Sequence, residues 1–215
     1  MPADLAVIGL GHLGLPLAQA ATAAGISTLG YDPDPHAATP SGADGPLSAT
    51  EIRRLLAAGF CTTADPAALG KVRTAVICAA TPLGADRALD LTGIADAART
   101  LAARLRPHTT VILESAAYPG TTEDFLRPLL EEGSGLTAGR DFHLACSPSR
   151  HDPGNRIHRY RNTPKVIGGR QLLRPDHRQG RTGPRPPRGR DVQTAGDQLP
   201  ARQHRPDERD GGLLP

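Results

Sequence analysis

The run Leu5-Ala6-Val7-Ile8 leads directly into Gly9-Leu10-Gly11-His12-Leu13-Gly14 and then into the Ala-rich segment Leu15–Ala24. An unbroken apolar run of this length reads as a strand covered on both faces. Glycines at this spacing let the chain turn straight out of it into a helix. Gly9 permits the tight turn, and Gly11 lets the backbone approach a bound group that a Cβ would push away. Gly14 allows the helix to pack closely on the strand. The helix start then offers free N–H groups and a positive dipole end, which suits an anionic pyrophosphate. A GxGxxG alone is a weak signal; the strand before it and the helix after it are the required context.

The second candidate strand, Ser27–Tyr31, ends beside Asp32, 18 residues past Gly14. A carboxylate there can accept hydrogen bonds from both hydroxyls of an adenosine ribose. It would repel a 2′-phosphate, so NAD is favoured over NADP. The competing reading is a structural βα turn with an unrelated Asp. Thr81-Pro82 follows the third clear strand, a position beside the coenzyme crevice. It is equally readable as an ordinary loop.

The alternation continues along the chain. Further strands are expected at Thr74–Ala79, Thr110–Glu114, Phe142–Cys146 and Lys165–Ile167. Helices are expected at Thr50–Ala58, with Thr50 as its cap, at Leu91–Leu105 and at Thr122–Leu130, ending before a Glu/Gly stretch. The helix from Leu91 carries apolar residues at 91, 94, 95, 98, 101, 102 and 105, a 3.6-residue period. Strands alternating with helices imply an α/β class, a Rossmann-type doubly wound parallel sheet.

Residues 1–169 form that expected domain. Residues 170–215 hold ten Arg, seven Pro, six acids and no aromatic side chain, with no apolar periodicity. Such a segment buries too little surface to offset its ordering entropy, so a disordered tail is expected. Composition narrows the function classes further. Net charge is +3 and aromatics are 3% with no Trp, which argues against a nucleic-acid partner. Residues 5–26 are apolar enough to raise a signal peptide or membrane span. But Asp4 rather than a basic residue precedes them, and glycines, Pro16, His12 and Gln19 interrupt them, so neither is expected. Cys61, Cys78 and Cys146 form no CxxC pair. That fits a reducing cytoplasm, and His143 with Cys146 gives too few ligands for zinc, so no metal is expected. Cys78 and Cys146 read as core residues, Cys61 as a loop residue, and Lys165 as a solvated side chain. Glu114 ends a strand beside the coenzyme crevice and reads as positioning the loop rather than as a base.

Three longer motifs narrow the reading: Glu114-Ser115-Ala116-Ala117-Tyr118-Pro119-Gly120-Thr121-Thr122, Cys146-Ser147-Pro148-Ser149-Arg150-His151-Asp152-Pro153-Gly154-Asn155, and Asn162-Thr163-Pro164-Lys165-Val166-Ile167-Gly168-Gly169. With the glycine loop and Thr81-Pro82, this ordered set resembles the UDP-glucose/GDP-mannose dehydrogenase family of nucleotide-sugar 6-dehydrogenases. The Tyr-Pro-Gly-Thr-Thr and Asp-Pro-Gly-Asn segments look most like its UDP-N-acetylmannosamine/UDP-N-acetylhexosamine dehydrogenase branch. The resemblance spans residues 4–169.

It implies NAD-dependent oxidation of a UDP-sugar C6 alcohol to a carboxylate in two hydride transfers. An active-site Cys holds the carbon as thiohemiacetal and then thioester. It also implies that Gly9, Gly11, His12, Leu13, Gly14, Asp32, Thr81, Pro82, Ser115 and Ala116 face the coenzyme. By the same resemblance, Ser147, Pro148, Ser149, Arg150, Asp152 and Asn155 form a loop that touches substrate. Ala116 stands where the family commonly has a water-ordering Thr, and Ser149 stands at its acid position. A Ser hydroxyl without an activating partner is no base near neutral pH. Family members continue into a long dimer-forming helix with a Lys and an Asn, and a sugar domain with the nucleophilic Cys. None of that is readable here, so no catalytic set is complete and negligible turnover is expected from this chain alone. A one-base shift of degenerate codons for residues 190–214 admits EMSKLLETNYRHVNIALMNEMAVF, a helical string close to the family's central helix. A frameshift between about Gly169 and Arg190 is the corresponding expectation. Alternatives are a non-catalytic NAD-binding fragment, or a hydroxyacid-type dehydrogenase. The latter needs a later catalytic Lys region, and the tail has no Lys.

Overall fold

The computed structural model describes residues 3–37, 45–85, 87–148, 165 and 167–169. The expected tail, residues 170–215, lies outside them. Strands β1 (Leu5–Ile8), β2 (Thr28–Tyr31), β3 (Cys61–Thr63), β4 (Thr74–Ile77), β5 (Thr110–Leu113), β6 (His143–Cys146) and β7 (Gly168–Gly169) form one sheet. Their order is β3-β2-β1-β4-β5-β6-β7. All neighbours pair in parallel except β6 with β7, which is antiparallel. The order reverses between β1 and β4, and the chain crosses from one half of the sheet to the other there. Helices α1 (Gly14–Ala23), α2 (Ala49–Ala57), α3 (Thr92–Ala102) and α4 (Arg127–Ser134) cover the sheet.

Two apolar layers result from strand alternation. Leu5 and Val7 of β1 and Val76 of β4 pack with Leu15 and Ala18 of α1 and Ile52 and Leu55 of α2. Ala6, Ile8, Ala75, Ile77, Val111 and Leu113 face the other way, onto Ile94 and Leu101 of α3 and Leu130 of α4. Because both faces are covered, every residue of β1 is buried. That explains its unbroken apolar run.

Some expectations need correction. The cap of α2 is Ser48, not Thr50. The Ser48 hydroxyl accepts from the Glu51 amide while the Glu51 carboxylate accepts from the Ser48 amide, a complete capping box. That hydrogen bonding holds the Glu51 carboxyl below its usual range, Ser48 supplying the largest effects. Cys61 opens β3 rather than sitting in a loop. This edge strand is three residues long and largely exposed, so it lacks the apolar run that marks the others. The helix expected at Thr122–Leu130 starts with a π-helical turn, Thr121–Leu126. It then continues as α4 through Glu131-Glu132-Gly133 to a left-handed Gly135. Glu131 and Glu132 are solvent-accessible polar residues of an amphipathic helix, Gly133 lies against Ala102 of α3, and none of the three ends the helix. The last strand is β7, just beyond the expected Lys165–Ile167, and it runs antiparallel to β6.

Ser48→Ala removes the reciprocal cap and is expected to destabilise the protein by about 1 kcal/mol. Thr50→Ala, whose hydroxyl only accepts from the exposed Arg53, is expected to change stability by at most about 0.5 kcal/mol. Urea melts of the two variants check the assignment.

Candidate functional site

Each parallel strand contributes its carboxyl end to one edge of the sheet. The first βα turn is held from several sides there. Gly9 has φ +93°. Its amide donates to the Tyr31 carbonyl at 2.9 Å, and a Cβ on it would lie 2.9 Å from the Cys78 carbonyl oxygen. Gly14 opens α1 so close to the turn that a Cβ there would stand 1.8 Å from the Gly9 oxygen. Gly11 is different. It is exposed, and an added Cβ would meet nothing within 4 Å. Gly9 and Gly14 are therefore glycines because protein fills the space beside them. The space beside Gly11 is open.

The amino end of α1 carries no side-chain cap and no acidic residue in its first turn. In α2 the corresponding amides are met by the Ser48–Glu51 box, and at the start of α3 Asp90 accepts from the Thr92 amide at 2.8 Å; the π-helical turn at Thr121 likewise has no side-chain cap, but carries Glu123 and Asp124 in its first turn. An uncapped helix start on a glycine turn leaves donors and a positive dipole end for an outside acceptor. His12 is exposed and Leu13 half-buried at this rim.

Asp32 lies one residue past β2 and is locked to the same turn. Its Oδ2 accepts from the Leu10 amide at 2.8 Å, and its Oδ1 accepts from the Asp34 amide at 3.0 Å. A carboxylate has about four lone-pair sites, so each oxygen can accept again. Beside it opens a cavity of about 170 Å³ lined by Leu10, Asp32, Asp34, Pro35, Thr62, Thr63 and Ala64. The Pro35 and Thr62–Ala64 part of this wall has no counterpart in the sequence reading. It depends on β3, whose polar three residues gave no strand signal. A short Cys-Thr-Thr run between α2 and an Asp-Pro turn is the only trace it leaves.

The other half of the edge is formed by β4, β5 and β6. Thr81 is half-buried and Pro82 exposed, and the Pro82 carbonyl accepts from the Asp90 amide at 2.8 Å. That bond closes a small loop, and next to the closure the Tyr118 hydroxyl accepts from the Leu89 amide at 2.6 Å. Ser115 is buried and its hydroxyl donates to the Ile77 carbonyl at 3.3 Å. Ala116 is exposed. Ser147 is buried, and its amide donates to the Leu113 carbonyl at 2.9 Å. Pro148 follows it at the edge; Ser149, Arg150, Asp152 and Asn155 lie outside the described residues. Glu114 is buried and forms an ion pair with Lys165. Lys165 is exposed, as expected, but it is not a lone solvated charge: the chain folds back at β7 and brings it to a carboxylate that burial would otherwise isolate.

Cys78 is buried. Burial pushes its thiol well up, the Glu114 charge adds to this, and Lys165 opposes it. Cys146 is half-buried; burial also raises its thiol, and Thr122 partly offsets this. Neither sulfur is set up as a thiolate nucleophile. Among the described residues, no three His, Cys, Asp or Glu side chains group as a metal site, and no helix is long and apolar enough to cross a membrane.

Residues 3–176 match the family model described as "UDP-glucose/GDP-mannose dehydrogenase family, NAD binding domain". The chain belongs to this family. The matched part is the family's NAD-binding domain, and its end lies a few residues past the expected boundary at 169. A UDP-N-acetyl-D-glucosamine 6-dehydrogenase of Salmonella typhi is 32% identical over 77% of this chain and 39% of its own length. A UDP-N-acetyl-D-mannosamine dehydrogenase of Pyrococcus horikoshii is 35% identical over 77% of this chain and 40% of its own. A solved UDP-D-ManNAc dehydrogenase structure from Pyrococcus horikoshii superposes with a TM-score of 0.68 at 32% identity, again over 77% of this chain and 40% of that one. The chain thus spans about two-fifths of the length of the curated relatives it matches.

The two kinds of glycine separate in a stability measurement. Gly14→Ala forces the α1 start away from Gly9 and is expected to destabilise by about 2 kcal/mol or more. Gly11→Ala is expected to stay within about 1 kcal/mol of the parent. Urea unfolding of both variants decides this.

Proposed function

We propose that this chain is the NAD-binding portion of a nucleotide-sugar 6-dehydrogenase that oxidises the C6 alcohol of a UDP-sugar to a carboxylate. The observation that carries the coenzyme part is the open, uncapped α1 start at Gly11 with Asp32 tied to the same turn. Amides of the Gly9–Gly14 turn other than those of Gly9 and Leu10, which already donate to Tyr31 and Asp32, would hold the pyrophosphate, with His12 and Leu13 at its rim. Asp32 would accept from the adenosine ribose hydroxyls, and the cavity between Leu10, Pro35 and Thr62–Ala64 would take the adenosine end. Thr81, Pro82, Ser115 and Ala116 would flank the nicotinamide end, since they follow β4 and β5 on the far side of the crossing point. Ser147, Pro148, Ser149, Arg150, Asp152 and Asn155 would face the sugar nucleotide. When bound, NAD supplies the hydride acceptor; the chain's own residues bind, orient and select it.

A second reading has a specific observation behind it. Ala116 is exposed at the position where the family resemblance calls for a water-ordering Thr, and Ser149 replaces the expected acid. Neither described buried thiol is activated. These departures support a coenzyme-binding fragment without its own turnover. NADH formation from UDP-glucose or a UDP-N-acetylhexosamine by this chain alone overturns that reading.

The same proposal assigns residues 1–169 to the coenzyme domain. It takes residues 170–215 as an Arg/Pro-rich tail read out of frame, and coding DNA that lacks an open shifted frame there removes the frameshift. The dimer of the family, a UDP-sugar partner and a cytoplasmic location belong to the same proposal.

Calorimetric titration tests the coenzyme assignment. NAD⁺ is expected to bind at least about tenfold more tightly than NADP⁺, because a fixed carboxylate opposes a 2′-phosphate. Asp32→Asn is expected to narrow that ratio, and Gly11→Val to weaken both dinucleotides. Equal affinity for NAD⁺ and NADP⁺ in the parent chain contradicts the role given to Asp32.

A further inference from the structure

Glu114 is the one buried acid among the described residues, with 2% of its surface exposed. It stands at the carboxyl end of β5, its amide donating to the Ile77 carbonyl of β4 at 2.9 Å. Lys165 reaches it from the chain just before β7, with 29% of the lysine side chain still exposed. Burial of an unpaired carboxylate is strongly unfavourable, so the lysine is needed once the glutamate is there. That does not explain the glutamate. Replacing a buried ion pair with apolar side chains of similar volume is often neutral or stabilising. A purely structural role is therefore a weak account of the pair.

The position offers a better one. The adenosine-side cavity lies over β2 and β3, on one side of the crossing point between β1 and β4. Glu114 and Lys165 lie on the other side, at the edge assigned above to the nicotinamide end. Their charges are felt at the neighbouring strand end: the Cys78 thiol is pushed up by the Glu114 charge and pulled back by Lys165, both after the larger effect of burial. A nicotinamide ring is cationic when oxidised and neutral when reduced. Any fixed, unscreened charge at this edge therefore binds the two forms differently.

We propose that Glu114 and Lys165 act as a balanced charge pair that sets the preference of this site between oxidised and reduced dinucleotide. The inference rests on the reading of the edge as an NAD site. Glu114 favours the oxidised, cationic form. Lys165 offsets that preference and keeps the oxidised form from being held too tightly relative to the reduced one. Neither residue is assigned contact with the reacting atoms; both are positioning residues acting through charge.

The test titrates the full 215-residue chain with NAD⁺, NADH and ADP-ribose. ADP-ribose lacks the nicotinamide and reports whether the adenosine half and the fold are intact. Lys165→Met is expected to raise the Kd ratio of NADH to NAD⁺ by about tenfold, the scale of one unit charge acting over roughly 10 Å at an effective dielectric near 20. Glu114→Gln is expected to move the ratio in the opposite direction. The double variant is expected to return it to within about threefold of the parent. Lys165→Arg keeps the charge and is expected to keep the ratio. ADP-ribose affinity is expected to stay unchanged throughout. A purely structural pair would instead weaken all three ligands together and leave the ratio fixed, which overturns the inference. So would single variants that shift the ratio in the same direction. Should either single variant fail to bind ADP-ribose, the other single variant, read against the parent and the double variant, decides alone. A parent chain that binds ADP-ribose, NAD⁺ and NADH but shows no ratio change in Lys165→Met sinks only this proposal. A parent chain that binds none of the three refutes the coenzyme site itself, and the inference with it.

Discussion

The first turn of α1 presses on the end of β1 so closely that even a methyl group at residue 14 would collide with the Gly9 carbonyl. Much of the molecule's functional half follows from this contact. It aims the helix amides and dipole across the sheet edge. It brings the Leu10 amide to Asp32, which couples the turn to the end of β2. It also lets Leu15 and Ala18 sink into the layer formed by Leu5, Val7 and Val76, so stability and site geometry share one origin. The exposed Gly11 meets no such constraint, and its lack of a side chain matters only to something arriving from outside.

The carboxyl edge divides into two chemically different halves. Over β2 and β3 a carboxylate and an open cavity are arranged with backbone amides already satisfied on Asp32. Over β4, β5 and β6 the groups are mostly buried or turned inward: Ser115 donates to a backbone carbonyl, Glu114 is paired, and the Cys78 and Cys146 thiols are raised by burial. The first half has the features of a recognition surface. In the second, the described polar groups are mostly engaged with the protein itself.

Legibility in the sequence followed burial. The strands β1, β4, β5 and β6 lie between covering layers, so their apolar runs were readable, and the 3.6-residue period of α3 was too. β3 sits at an edge with exposed residues and carries no such run. With it went Thr62, Thr63 and Ala64, which complete the cavity beside Asp32. The cap of α2 is not legible in the sequence because Ser48 and Thr50 are both plausible caps. Only the reciprocal bonding to Glu51 separates them. The π-helical turn at Thr121 carries no periodic signature, and the polar Glu131-Glu132 pair looked like a helix end although it is only an outer face.

What the sequence determined by itself was the class of the fold, the glycine turn, the acid at residue 32 and the order of motifs that marks the family. Each of these is a local pattern, set by steric demands or strand burial within a few residues. The tertiary structure decided which distant residues meet: Lys165 with Glu114 across 51 positions, Asp32 with Leu10 across 22, and the β3 end with the Asp32 wall. Such meetings depend on strand order and on where the chain doubles back. Local periodicity carries no information about either.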